Sequence, residues 1–244
     1  MKNQYFADIN DYQKYCLLRI LAGKNGEMKI AICWMLTNND TRKDGKFLNY
    51  LDCPDQCKKY DPYLFDSLAS SMANPLNRSI KWVEENHLIP SAVYFSELLL
   101  EDREKRQNYF ANFHAIVANT DLVFFDPDNG IECKSAICGR KGSNKYIYWS
   151  ELTNAFASGQ SILVYQHFIR MKRETFTRQL VDEFRKRLNI SDVITFTTAR
   201  VLYLLVPQPR HQHYLTEKCA EIKKNGCCQI KMAKLKCAQP PAEG

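Results

Sequence analysis

The residues best suited to chemistry lie in one stretch, Asp121-Leu-Val-Phe-Phe-Asp126-Pro-Asp-Asn-Gly-Ile-Glu132. An apolar run ends abruptly there in acids, Pro, Asn and Gly. A short apolar run bounded by turn residues reads as a buried strand of a parallel sheet. Pro127 and Asn129-Gly130 force a turn where the chain leaves that sheet. Ligands of open α/β sheets bind at this carboxyl edge. Asp126, Asp128 and Glu132 are therefore candidate site residues, against the plainer reading of a solvated acidic turn.

Two more strand ends carry polar groups. Residues 28–36 read as a strand that exits into Thr37-Asn-Asn-Asp40-Thr-Arg-Lys-Asp44-Gly45, and Ser161–Gln166 as one that exits into His167-Phe-Ile-Arg170. If the three strands are parallel neighbours, Asn38, Asp40, Asp126, Asp128, Gln166 and His167 share one edge. In a transferase, Asp126 would hold a target amino group while Asn38 and Asp40 receive the cofactor. In a hydrolase, Asp126, Asp128 and Glu132, or Asp40, would bind Mg²⁺, with His167 as general base and Arg170 or Arg140 clamping a phosphate. The catalytic candidates are Asp126, Asp128 and His167, of which Asp126 serves in both readings. Pro127-Asp128 followed by Glu132-Cys-Lys134 spells a restriction-nuclease signature, but three intervening residues leave no length for a strand to run and return. Asp126-x-Asp128 starts like an EF-hand loop, yet neither the twelfth-position ligand nor the flanking helices follow.

The elements that must position these residues alternate along the chain. Asn10-Asp-Tyr-Gln13 reads as a capping box opening a helix with Tyr12, Cys16, Leu17, Ile20 and Leu21 at helical spacing. Asp61-Pro62 opens a helix toward Asn74-Pro75. Residues 77–87 read as an amphipathic helix, and Ala92–Ser96 as a strand. Glu101–Ala118 is a helix with Phe110, Phe113, Ile116 and Val117 inward and His114 as a half-buried packing residue. Ser150 is the expected N-cap of a helix that stops at Gly159. Phe176, Leu180, Phe184 and Leu188 recur every four residues, a core stripe. Val193–Thr198 and Val201–Val206 read as a tight antiparallel pair, followed by a helix over about 210–224. This order predicts one α/β domain over 1–238, irregular and helical at about 52–90, with a disordered tail at 239–244.

Composition bounds the function. The chain has 244 residues, 45% hydrophobic and 25% charged, which suits a globular protein with a sizeable core. Its apolar runs are too short to span a membrane, and Met-Lys-Asn-Gln-Tyr-Phe lacks the apolar core of a signal peptide, so a cytoplasmic protein is expected. In that compartment the ten cysteines read as free thiols. Cys53-x3-Cys57 and Cys133-x4-Cys138 lack zinc-knuckle spacing. A net charge of +7 suits an anionic partner. Arg140, Lys141, Lys145, Arg170 and Arg173, close to the strand ends in sequence, are candidate contacts to a nucleic-acid backbone, although a merely basic surface reads the same way.

The strand–helix alternation with its closing strand pair resembles the class I S-adenosylmethionine-dependent methyltransferase fold, whose last strand inserts antiparallel. Asp126-Pro127 sits where nucleic-acid amino-methyltransferases carry an Asp-Pro-Pro-Tyr type motif, and Phe6-Ala-Asp-Ile-Asn-Asp-Tyr-Gln-Lys14 is similar to the helix before the first strand in the 23S ribosomal RNA adenine methyltransferase family. The acidic strand-end stretch also resembles that of a group of uncharacterised prokaryotic proteins. The resemblance implies a three-layer, Rossmann-like, mainly parallel sheet with an antiparallel strand near the C-terminal end. It further implies a nucleic-acid-modifying enzyme that uses S-adenosylmethionine. The chain departs from that pattern twice. Thr-Asn-Asn-Asp replaces the glycine-rich turn after the first strand, and Asp128-Asn129 replaces the Pro and the aromatic that would stack on a target base. A Mg²⁺-dependent nuclease or phosphodiesterase, and a non-catalytic module binding nucleic acid or protein, stay open as alternatives.

Overall fold

A computed structural model describes residues 1–41, 45, 47–74, 78–227 and 230–234. Asp44, Pro75, Asn77, Cys228, Cys237 and the 239–244 tail lie outside the described residues. The elements run α1 (Ile9–Ala22), β1 (Ile30–Cys33), α2 (Pro54–Cys57), α3 (Pro62–Met72), α4 (Lys81–Glu85), β2 (Val93–Phe95), α5 (Arg103–Val117), β3 (Leu122–Phe125), β4 (Gly130–Ile131), β5 (Tyr146–Ile147), α6 (Trp149–Ala157), β6 (Ser161–His167), α7 (Arg173–Leu188), β7 (Ile194–Thr197), β8 (Val201–Val206), α8 (Gln212–Asn225) and β9 (Lys231–Lys234).

Among the described residues seven strands form one sheet in the order β2-β1-β3-β6-β8-β7-β9. The first four are mutually parallel, with Ile30 beside Leu122 and Leu122 beside Ser161. The expected neighbours are therefore neighbours, and their carboxyl ends share one edge. β8 runs antiparallel between β6 and β7, and β9 pairs antiparallel with β7. β8, the antiparallel strand of the expected pair, thus lies inside the sheet with β7 and β9 beyond it. The β7–β8 connection is tight because the Thr198 hydroxyl accepts from the amides of Arg200 and Val201.

Apolar residues continue without alternation through β1, β3 and most of β6 because helices cover both faces. Ile30, Ile32, Leu122, Phe124 and Leu163 face a core closed by α1, α3 and α8. Ala31, Cys33, Val123, Phe125 and Val164 face a second core closed by α5, α6 and α7. The result is the three-layer α/β arrangement. Among the described residues no helix is long and apolar enough to cross a membrane, and all eight described cysteines are free thiols.

Several boundaries differ from expectation for identifiable reasons. α1 starts earlier, because Asp8 rather than Asn10 is the N-cap, accepting from the amides of Asn10 and Asp11. The N-cap of α6 is Tyr148 rather than Ser150: Glu151 accepts from the Tyr148 amide, and Glu132, arriving from another loop, accepts from that of Trp149. The helix expected over 77–87 is confined to Lys81–Glu85. Ile116 points outward at 51% exposure, while Arg106 and Tyr109 join Phe110, Phe113 and Val117 on the buried side of α5. His114 is half-buried against Phe113.

Candidate functional site

The carboxyl edge of the parallel core opens into a cavity of about 550 Å³. Its walls come from the N-cap and first turns of α1 (Asp8, Asp11, Lys14), the turn after β3 (Asp126 to Asn129), and the end of β6 (Tyr165 to His167), with Phe47, Ile169 and Arg200 also lining it.

Asp126 extends the β3 ladder by one rung, its amide donating to Cys33 O at 3.1 Å. Its carboxylate is then held from the side by α1. Lys14 Nζ lies 2.7 Å from Asp126 Oδ2 and 2.8 Å from Asp11 Oδ1, all three side chains being 3% exposed. Asp11 Oδ2 also accepts from the Ala7 amide and the Tyr15 hydroxyl. The Lys14 ammonium stands 5.2 Å from the centre of the Tyr165 ring and 5.9 Å from that of Trp34, contacts that favour a cation electrostatically. Burial would pull the Lys14 pKa down, but Asp11 and Asp126 outweigh it and raise the value above the ordinary Lys range, so the ammonium persists. Burial pushes Asp11 up to about 7, with Lys14 opposing and Asp8 assisting. Asp8 is itself raised by burial.

Asp128 belongs to a different ion-pair set. Its Oδ1 lies 2.8 Å from the Met1 amino group, its Oδ2 accepts from Thr37 Oγ1 at 2.8 Å, and Lys2 Nζ stands 3.6 Å away. Burial alone would raise its pKa, but the Met1 ammonium, the Thr37 hydroxyl and Lys2 hold it below the usual carboxylate range. The Met1 amino group also donates to Asp126 O and Met35 O, bridging the ends of β3 and β1. Met35 adopts a left-handed φ of 46°, a conformation that costs a non-glycine residue energy.

A glutamine that sequence reasoning places only at a strand end proves to be a clamp on the acidic turn. Gln166 Oε1 accepts from the Ile131 amide at 2.7 Å, and Nε2 donates to His167 O at 2.9 Å. Its amide lies so close that a Cβ on Gly130, at φ +103°, would come within 2.4 Å of it. Glycine is required at 130 by that approach as well as by the backbone angle. The β4–β5 pairing fixes the same turn from its other side.

His167 meets the Tyr165 ring edge-on at 5.0 Å and lines the cavity. Although the residue is exposed, desolvation by the protein packed around it lowers its pKa below the ordinary imidazole value, against the upward pull of Asp126 and Asp128. Asp126, Asp128 and His167 are thus brought to one cavity. Glu132 also lines it, but one of its oxygens accepts from the Trp149 amide at 2.8 Å. Asn38 and Asp40 are exposed and do not line the cavity; Asp40 is held at 2.6 Å by Lys2. Among the described residues no three His, Cys, Asp or Glu side chains are grouped to hold a metal ion.

None of the five expected nucleic-acid contacts lines this cavity. Arg140, Lys141 and Arg170 are exposed, and Lys145 is partly buried beside the acidic turn, its carbonyl accepting from the Asn129 amide. Arg173 lies over Phe168 and donates to Ala199 O. A cation that does line the cavity is Arg200, whose guanidinium lies 3.6 Å from the centre of the Phe47 ring. Its position follows from the β7–β8 hairpin, whose short connection is legible in the sequence but not its approach to this edge.

No family model matches the chain, and no curated protein matches it. Among solved structures the chain is similar to protein LPL1258 from Legionella pneumophila str. Philadelphia 1, described as a DUF519 family model, at 12% identity and a TM-score of 0.45 over 95% of this chain and 97% of that one.

Proposed function

We propose that the protein acts on nucleic acid by taking a single base into the cavity between the ends of β3 and β6. The observation that carries this reading is the state of Asp126. Lys14 pins one carboxylate oxygen, and the other has no hydrogen-bond partner among the described residues while the side chain lines the cavity. Such a fixed, charged acceptor suits the exocyclic amino group of adenine or cytosine, a hydrogen bond of about 1.5–3 kcal/mol. Tyr5, Tyr165 and Phe47 offer ring surface nearby, and stacking is worth about 1–3 kcal/mol per base. The cavity volume falls in the usual range for ligand pockets.

The insertion of β8 antiparallel beside the parallel core favours the more specific reading of a methyltransferase-like fold. The residues at the end of β1, however, do not suit S-adenosylmethionine. The chain has no glycine-rich turn there, Asn38 and Asp40 stay out of the cavity lining, and Met1 bridges the ends of β1 and β3. We therefore assign base recognition to Asp126, support of the turn to Asp128 and Gln166, and no step to a methyl donor. A Mg²⁺ hydrolase would need its acids turned toward one ion, whereas Asp126, Asp128 and Glu132 are engaged by three separate partners.

Calorimetry with adenosine, cytidine and uridine tests the reading. The wild type should favour the two amino-bearing nucleosides, and Asp126→Asn, which replaces a charged acceptor by a neutral amide, should lose most of that preference with its fold intact. Equal affinity for all three, or no binding, refutes base recognition. Saturable binding of S-adenosylmethionine would restore the methyl-transfer reading.

A further inference from the structure

A second recess, of about 750 Å³, lies between the first turns of α7 and the outer strands β7 and β9. Its sheet wall is unlike the rest of the sheet. Thr195 pairs with Ala233 and Thr197 with Lys231, so these four share one face. On the opposite face of β7, Ile194 and Phe196 are buried in the core. Among the described residues these four positions thus place no large apolar side chain on the recess face. The Thr195 and Thr197 hydroxyls donate to the carbonyls of Ala233 and Lys231, binding β9 to the sheet. Among the described residues, the charged side chains lining the recess are Arg173, Arg178 and Lys231 against Glu174, an excess of cations.

This recess adjoins the base cavity. Ala199 lines the recess and Arg200 the cavity; likewise Phe168 lines the recess and Ile169 the cavity. Consecutive residues are about 3.8 Å apart along the chain, so only a thin ridge divides the two. The Phe168 and Phe176 rings, 6.3 Å apart, belong one to each side.

We propose that this recess is a phosphodiester-binding groove, which carries the backbone of a single strand away from the base held near Asp126. The assignment of a nucleic-acid strand rests on the base-binding reading above; the groove's affinity for phosphate rests on its own cations. Arg178 and Lys231 would each neutralise a backbone phosphate, with Arg173, already fixed over Phe168, adding charge at the end nearer the ridge. Each cation so used makes binding to a single strand more salt-sensitive by about 0.7 in the log–log slope.

The test uses a fluorescein-labelled oligo(dA) of about twelve nucleotides, within the range a single groove covers, and adenosine as a phosphate-free probe of the cavity. Arg178 and Lys231 are exposed, so Arg178→Gln/Lys231→Gln should fold normally, which circular dichroism checks. The double variant should bind the oligonucleotide at least about tenfold more weakly at low salt, with a salt slope shallower by about 1.4. Its adenosine affinity should stay within about twofold of wild type, because a nucleoside carries no phosphate for these cations to neutralise. Unchanged oligonucleotide affinity and slope, with adenosine still bound, overturns the groove and leaves the cavity. A groove-dependent salt slope without adenosine binding supports the groove and removes the cavity reading. Polyglutamate bound as tightly as the oligonucleotide, with both lost in the variant, overturns the assignment in favour of an acidic protein segment.

Discussion

Replacing Lys14 by Met removes the cation shared by Asp11 and Asp126 and keeps an unbranched chain of similar length. Lys14 and both carboxylates are 3% exposed, so solvent does little to screen what remains. Removing one partner of a buried ion pair costs about 3–5 kcal/mol. At about 2–4 °C per kcal/mol for a chain of this size, the melting temperature should fall by about 6–20 °C. The loss should depend on pH. Asp11 titrates at about 7 in the folded protein, above the ~3.9 of an unfolded Asp. Between those values the folded state keeps a proton that the unfolded state releases, so this group's contribution to stability falls as pH rises and is lost by about 7. Without Lys14 the folded value rises further, and the decline extends to higher pH. Thermal unfolding should therefore show a larger deficit for Lys14→Met at pH about 8 than at pH about 5.5, and Asp11→Asn in the same chain should restore part of it at the higher pH. An equal deficit at both pH values, with no rescue by Asp11→Asn, refutes the idea that Lys14 holds two buried carboxylates together.

Three other outcomes follow from the same geometry. Gly130→Ala should destabilise by about 1–3 kcal/mol, from the left-handed backbone and the approach to Gln166; in Gln166→Ala the clash is relieved but the backbone cost remains, so thermal melts of the double variant should recover only in part. Glu132→Ala should cost about 0.5–2 kcal/mol by uncapping α6, whereas Glu132→Gln, which keeps an acceptor for the Trp149 amide, should cost much less in the same melts. Asp126→Asn removes a charge that raises the His167 pKa, so an NMR titration should place the imidazole of the variant lower than that of the wild type.

The parts of this molecule legible in its sequence are those fixed by local pattern. Leu122–Phe125 is apolar on both faces, which announces a strand covered on both sides, and Asp126-Pro127 marks where it stops. The two-residue connection at Ala199-Arg200 fixes the β7–β8 pairing. Partnerships across the chain are not legible in the same way. Nothing local to Lys14 distinguishes it from a lysine on a solvated helix face, yet it is the residue that grips Asp126. Glu132 reads as a ligand because it is an acid near two others; only its distance to the Trp149 amide reveals a helix cap. Asn38 and Asp40 belong to the edge by their strand alone. Asp40 is held instead by Lys2, a partner that sequence cannot place beside it.

The Lys14–Asp126 contact joins residues 112 positions apart, and that separation bears on biosynthesis. A ribosome releases α1 long before β3 exists. Through that interval Tyr12, Tyr15, Leu17 and Leu18, all fully buried in the finished protein, have no sheet to cover them. The nascent chain therefore presents a sticky amphipathic helix until its middle third emerges, the kind of exposed surface that drives aggregation and engages chaperones. Slow translation between residues 22 and 122 would lengthen this exposure, whereas pausing after β6 would lengthen it less, because the strands carrying Leu122, Phe124 and Leu163 of the core that receives α1 would by then have been made.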